Sequence, residues 1–146
     1  LVEAESTLAA DVPGLIVARL SGLYGPGRDW MLRRARAGEP GERRWSNRIH
    51  IDDAAAACVH LLRHPAPPRR ICLSDDLPAR EDAVLAFLRE ASGLPPVPAA
   101  DARTAERGKR VDNRRLRDSG FALQWPDYRR GYPAAFGLQP VAPALL

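Results

Sequence analysis

Four groups of residues combine types and spacings that support chemistry. His50-Ile51-Asp52-Asp53 sets an imidazole just ahead of two carboxylates, the ingredients of acid-base work. Cys58, His60 and His64 offer metal-ligating atoms, with the two imidazoles one helical turn apart. Gly25-Pro26-Gly27-Arg28-Asp29-Trp30 opens like a dinucleotide-phosphate loop between an apolar run and a helix. Arg33, Arg34, Arg36, Arg43, Arg44 and Arg48 crowd one region, and guanidinium groups suit bidentate contact with phosphate or carboxylate.

Each group also has a structural reading. Adjacent carboxylates at a helix start point apart, so Asp52 or Asp53 is expected to cap the helix and meet its dipole. His50 lies on a strand between Ile49 and Ile51, faces the opposite way, and is expected to be a hydrogen-bonded structural histidine. No recognisable spacing supplies a further ligand to Cys58, His60 and His64, so no metal is expected. In the glycine-rich hexapeptide Trp30 replaces the third glycine and Pro26 lacks an N–H, so it fails as a pyrophosphate loop. Arg44, Trp45 and Arg48 combine charge with an aromatic ring, but charge alone supports a nucleic-acid module and none is expected.

The elements that position these groups follow from periodicity. Leu15 to Leu20 is a short apolar run bounded by turn residues, which predicts a buried parallel strand. It empties into Gly22, Gly25 and Gly27, where the chain can take angles forbidden to residues with a Cβ. Ahead of it, Leu1 to Ala10 reads as the end of a helix with Val2, Leu8 and Ala9 on its apolar face. Behind it, Asp29 is expected to cap a helix from Trp30 to about Ala37. Trp45, Ile49 and Ile51 mark Arg43 to Ile51 as a strand, followed by a helix over Ala54 to Leu62. Arg70 to Ser74 is a second short apolar strand. Glu81 to Ala91 is a helix whose Val84, Leu85, Phe87 and Leu88 form one core-facing stripe. Gly93 to Ala102 is a proline-rich connector. A short helix is expected over Asn113 to Ser119, a further turn or two over Tyr128 to Phe136, and a frayed tail over Gln139 to Leu146.

The chain has 146 residues, 45% hydrophobic, enough for one domain with a real core. Its net charge is +4, and Lys109 is the only lysine. Cys58 and Cys72 lie in apolar runs without disulfide-like spacing, which points to a reducing, cytoplasmic setting. No apolar stretch is long enough to span a bilayer, and no membrane partner is expected.

Three segments together resemble a known family. Arg19-Leu20-Ser21-Gly22-Leu23-Tyr24-Gly25-Pro26-Gly27, then Asn47-Arg48-Ile49-His50-Ile51-Asp52-Asp53-Ala54, then Ile71-Cys72-Leu73-Ser74-Asp75-Asp76 are similar, in this order, to the C-terminal half of an extended short-chain dehydrogenase/reductase. The nearest likeness is to the NAD-dependent epimerase/dehydratase family. Lys109-Arg110-Val111-Asp112-Asn113 with Leu116 and Gly120-Phe121 resembles that family's closing segment. The resemblance implies an α/β fold: the last two parallel strands of an NAD(P)-binding Rossmann-like sheet plus a small mixed α/β substrate-binding lobe. Residues 1–27 and 69–76 would form the sheet portion with its flanking helix, 28–68 and 77–138 the lobe, and 139–146 the tail. It further implies that Leu20, Ser21 and Gly22 lie near the nicotinamide, and Leu23, Tyr24, Arg44, Ser46 and Arg48 near the substrate.

The chain departs from the family at Gly22, where many sugar-nucleotide members carry a substrate-binding asparagine, and near Ser46, where they carry an arginine. Ala105 stands four residues before Lys109, so the lysine is not part of a Tyr-x-x-x-Lys pair. The glycine-rich dinucleotide loop and the first five strands have no counterpart either. The expected function is therefore the substrate-binding portion of an NAD(P)-dependent oxidoreductase, epimerase or dehydratase, not catalytic alone and not binding NAD or NADP tightly. The alternative is a non-enzymatic binding or regulatory domain derived from the same fold. Strands six and seven without strand five leave an open edge, so self-association or pairing with an N-terminal half is expected.

Overall fold

The computed structural model describes residues 2–98, 101 and 103–141. In chain order the elements are α1 (Val2–Asp11), β1 (Val17–Leu20), β2 (Gly22–Tyr24), α2 (Trp30–Arg36), β3 (Arg44–Ser46), β4 (Arg48–His50), α3 (Ile51–Arg63), β5 (Arg70–Leu73), β6 (Ala79–Arg80), α4 (Glu81–Ala91), β7 (Arg107–Gly108), α5 (Arg114–Asp118) and α6 (Tyr128–Phe136). Leu1, Ala99, Ala100, Ala102 and 142–146 lie outside the described residues, and with them parts of the expected N-terminal helix, connector and tail.

Two parallel strand pairs organise the chain. β1 pairs with β5 from Val17↔Arg70 to Leu20↔Leu73, and β2 pairs with β4 from Gly22↔Arg48 to Tyr24↔His50. Both crossovers run through helices, as parallel pairing requires. The third sheet has β3 between β6, antiparallel, and β7, parallel. The run expected as one strand over Arg43 to Ile51 is therefore two strands in different sheets. Asn47 makes the break: its Nδ2 donates to the Lys109 carbonyl and its Oδ1 accepts from the Val111 N–H, both at 2.8 Å.

The apolar residues gather in two clusters. Ile49, Ala54, Ala57, Leu61, Ile71, Leu73 and Leu116 close the first, which joins α3 and α5 to the β1–β5 pair. The second joins Tyr24, Leu32 and Ala35 to the α4 stripe of Val84, Leu85, Phe87 and Leu88 and to Tyr128 and Tyr132 of α6. β1, expected to be buried, is only partly so, and Leu20 at its end is 49% exposed. Among the described residues β1 has β5 as its only neighbour. Of the expected apolar face of α1, Leu8 and Ala9 are exposed, and Glu5 ties the helix to the sheet by clasping Arg19 at 2.6 Å.

Helix caps differ from expectation. His50, not Asp52 or Asp53, caps α3: its Nδ1 accepts from the Asp52 N–H at 3.2 Å. Asp53 is buried and reaches away, accepting from the Gln124 and Trp125 N–H groups at 2.9 and 2.8 Å. Asp29 precedes α2 without a capping bond and pairs with Arg33 instead. Asp127 does cap α6, through the N–H groups of Arg129 and Arg130, and extends it over nine residues.

Candidate functional site

The β2–β4 pair carries the wall of a cavity of about 220 Å³. Gly22, Leu23 and Tyr24 come from β2, Arg44 and Ser46 from β3, and Asn47 and Arg48 from the bend into β4. Arg28, Trp30 and Met31 close one side, and Glu81 and Tyr132 the other. Gly22 lies so close to the neighbouring strand that a Cβ there would stand 3.1 Å from the Asn47 carbonyl oxygen. At Gly25 the backbone takes φ +133°, and a Cβ would meet Ile51 at 2.9 Å. Pro26 and Gly27 turn the chain so that the Arg28 N–H returns to the Gly25 carbonyl at 2.8 Å. The glycine-rich corner is thus a tight turn that delivers Arg28 to the cavity.

Three guanidinium groups and one carboxylate set the electrostatics. Arg48 is 4% exposed; its Nη2 donates to Ser46 Oγ at 2.6 Å, and its plane lies 4.9 Å from the Tyr128 ring. Its Nη1 is buried and unpartnered. Arg44 pairs with Glu81, which also receives Arg34 at 2.8 Å. Burial alone would raise the Glu81 carboxyl, but hydrogen bonds from these two guanidinium groups outweigh it and hold the carboxyl below its ordinary range. The Arg28 side chain makes no ion pair or hydrogen bond with any described residue.

Behind this wall Tyr24 stacks on Tyr132 at 4.3 Å and meets His50 edge-on at 5.2 Å. Burial pushes both phenols far above their ordinary range, so they stay protonated. Tyr24 Oη is pressed against Gly131, where a Cβ would come within 1.9 Å of it. Because His50 Nδ1 accepts a backbone N–H, the neutral ring carries its proton on Nε2, which is buried without a partner. Asp75 adjoins this group: its N–H donates to the Arg48 carbonyl at 2.7 Å, and its Oδ2 is buried and unpartnered. Burial pushes its carboxyl up to about 7, against the opposing pull of Arg48.

Of the residues singled out from sequence, Gly22, Leu23, Tyr24, Arg44, Ser46 and Arg48 line this one cavity. Leu20 and Ser21 do not. The Ser21 and Gly22 N–H groups donate to the Leu73 and Asn47 carbonyls, both at 3.0 Å, so neither backbone donor is free for a ligand. Among the described residues no three metal-ligating side chains converge. His60 Nε2 instead meets Ser119 O at 2.9 Å, His64 Nδ1 accepts from the Ala66 N–H, and both cysteines are free. A larger hollow of about 480 Å³ beside β5 is lined by Arg19, Arg70 and Arg114, but Glu5 and Asp112 already pair with these cations. Sequence reasoning missed Arg28, Glu81, Tyr132 and Asp75 as neighbours of the site. The Tyr128, Tyr132 and Phe136 spacing was the signal available for Tyr132.

Parallel strands joined by helical crossovers, with a cation-lined cavity just past a strand's end, define an α/β architecture of Rossmann type. No family model and no curated protein matches the chain. Among solved structures, a protein from Methylobacillus flagellatus provisionally designated an NAD-dependent epimerase/dehydratase is 35% identical, with TM-score 0.79 over 93% of this chain and 50% of its own. A conserved protein of unknown function from Silicibacter pomeroyi is 29% identical, with TM-score 0.70 over 90% of this chain and 52% of its own. The dTDP-glucose 4,6-dehydratase of Bacillus anthracis, solved with NAD, shares the fold at TM-score 0.70 and 14% identity over 92% of this chain and 47% of its own. The chain spans about half the length of each of these structures. In fold and motif order it resembles the C-terminal half of an extended short-chain dehydrogenase/reductase of the NAD-dependent epimerase/dehydratase family.

Proposed function

We propose that this chain is the C-terminal, substrate-binding portion of an NAD(P)-dependent oxidoreductase of the epimerase/dehydratase type, and that its cavity receives an anionic or strongly polar part of a small-molecule substrate. Residues 1–27 and 69–76 contribute the end of the sheet, and 28–68 with 77–138 supply the binding lobe. The observation that carries this reading is the convergence of Leu23, Tyr24, Arg44, Ser46 and Arg48 on one cavity with more guanidinium groups than carboxylates. Arg28 is free to meet a ligand anion, and Arg44 can leave Glu81 for one because Arg34 remains to balance that carboxylate.

The chain itself carries no catalytic step in this reading. The lining phenols stay protonated, and Lys109 has no tyrosine partner at the family spacing. A nicotinamide cofactor, when held by a parent protein, supplies the hydride chemistry; Leu20, Ser21 and Gly22 give it a wall to pass. The open edge of β1 is where an N-terminal half, or failing that another copy, pairs. Calorimetric titration of the chain with NAD and with NADP tests the division of labour: no tight binding is expected, and micromolar binding of either overturns it. Light scattering tests the edge, and a stable monomer without exposed apolar surface counts against pairing there.

A further inference from the structure

Ligand capture at Arg28 and Arg44 leaves several buried polar groups unused, among them the Asp75 carboxyl. Asp75 is 1% exposed and follows β5 at the point where the chain leaves the sheet. It is bonded through its backbone to the same Arg48 whose side chain lines the cavity. One oxygen of its carboxyl accepts the Leu77 N–H at 3.3 Å, while the other has no partner. Arg48 has the complementary defect, a buried Nη1 that donates to nothing. Two buried, incompletely satisfied groups of opposite charge thus lie on hydrogen-bonded backbone, and of the two Arg48 lines the cavity while Asp75 lies behind it.

We propose that the cavity binds the anionic group of its ligand at Arg48 with proton uptake by Asp75, so that Asp75 makes ligand affinity depend on pH; this rests on the cavity being the ligand site. With Asp75 ionised, its charge already acts on Arg48 from inside the protein, without a direct ion pair between the two side chains. An anion arriving on the cavity side adds a second negative charge to the same guanidinium group and raises the proton affinity of the carboxyl. By reciprocity, a protonated Asp75 leaves the whole Arg48 field to the ligand. Burial has already brought the carboxyl up to about 7, so the exchange falls near neutral pH.

The groups that face Asp75 set this balance. Arg48 of β4 favours ionisation, whereas Asp76 beside it and Asp127 at the start of α6 oppose it. Tyr24 of β2 and Tyr132 of α6 complete the enclosure, both held as neutral phenols. Asn113 fixes the neighbouring turn by donating to the Ser74 carbonyl and to Asp76 at 3.1 and 2.7 Å. Asp76 is therefore engaged elsewhere, and Asp75 is the carboxyl left to take up a proton from solvent when the cavity is occupied.

Sulfate is the probe, because it keeps its charge throughout the neutral range. Calorimetric titration of the full chain in two cationic buffers of different ionisation enthalpy counts protons directly. The expected result is uptake of up to about half a proton at pH 7, where the free carboxyl is already about half protonated, and of more toward pH 8, with affinity tightening by about threefold or more from about pH 8.5 to about pH 6.5. In Asp75→Asn the uptake disappears and affinity varies less than about twofold over that range. Saturable binding with no proton uptake by the unaltered chain overturns the coupling but leaves the cavity reading standing. Sulfate binding that survives Arg48→Ala unchanged, or no saturable binding at all, overturns both. The proton count on the unaltered chain decides the matter even if Asp75→Asn fails to fold.

Discussion

The two apolar clusters differ in how completely they are closed. Around α4 and α6, Leu88 is fully buried, Tyr24 stacks on Tyr132, and buried Arg89 ties the end of α2 to the connector by donating to the Ala35 and Pro95 carbonyls at 2.6 and 2.8 Å. Around β1 and β5, the inner residues Ile71 and Leu73 are as well covered, but Leu20, Val59 and Leu62 stand open to solvent. Leucine and valine are buried in the first region and stand exposed in the second, so the type of residue does not by itself make the difference. What differs is whether both faces of an element meet another element of this chain. The closed region shapes the cavity lined by Arg44 and Arg48, whereas the open one presents apolar surface and a strand edge of the kind that other chains cover.

The contrast is tested most strongly by paired leucine substitutions. Leu88→Ala in α4 is expected to cost about 2–5 kcal/mol in chemical denaturation, through lost burial and the cavity left behind. Leu62→Ala, on a helix of the other cluster but 79% exposed, is expected to stay within about 0.5 kcal/mol of the parent. Equal effects would abolish the distinction. Gly131→Ala comes next. The new Cβ would sit 1.9 Å from Tyr24 Oη, so α6 and β2 must part, at about 1–3 kcal/mol. Because Tyr24 lines the cavity, ligand binding should weaken along with stability, which denaturation and titration of the same variant would report.

The sequence makes much of this division legible. The stripe of α4 and the apolar run of β5 lie where periodicity puts them, because each is decided by residues within one element. The segment from Arg43 to Ile51 shows the limit: its alternation is continuous, yet Asn47 breaks it by bonding to backbone at Lys109 and Val111. The cap of α3 fails for the same reason. Asp52 and Asp53 have the right chemistry, but Asp53 is claimed by the N–H groups of Gln124 and Trp125, and His50 takes the capping place. Around the cavity, Tyr24, Arg44, Ser46 and Arg48 are legible because family motifs carry them. Glu81 is not, since a carboxylate at a helix start has the same local signature whether or not guanidinium groups fold over it.

Asp53 gives a test that joins the clusters. It starts α3 on the sheet side but holds the segment leading to Asp127 and α6, so Asp53→Ala leaves two backbone donors without an acceptor at a cost of about 1–3 kcal/mol. The loss should extend to α6, read as faster amide exchange at Tyr128 and Tyr132. Exchange that rises at α3 alone would mean that the clusters are held together elsewhere.

The remaining effect depends on pH and concerns what Asp75 contributes to stability without any ligand. Its carboxyl titrates near 7 in the folded chain and near the ordinary aspartate value when unfolded. Between those two values the folded state holds more protons than the unfolded one, so stability falls as pH rises through that window. Below it both states are protonated and the penalty is absent; above it the penalty is complete. Other carboxylates work in the opposite sense: Glu81, for example, lies below its ordinary range and stabilises as pH rises. The contribution of Asp75 is therefore isolated as a difference. The melting temperature of the parent minus that of Asp75→Asn should decline steadily from about pH 4.5 to about pH 7.5, then level off. A flat difference would mean that Arg48 fully balances the charge inside the wall, and that the closed cluster tolerates an ionised aspartate as readily as the open one tolerates Leu62 in water.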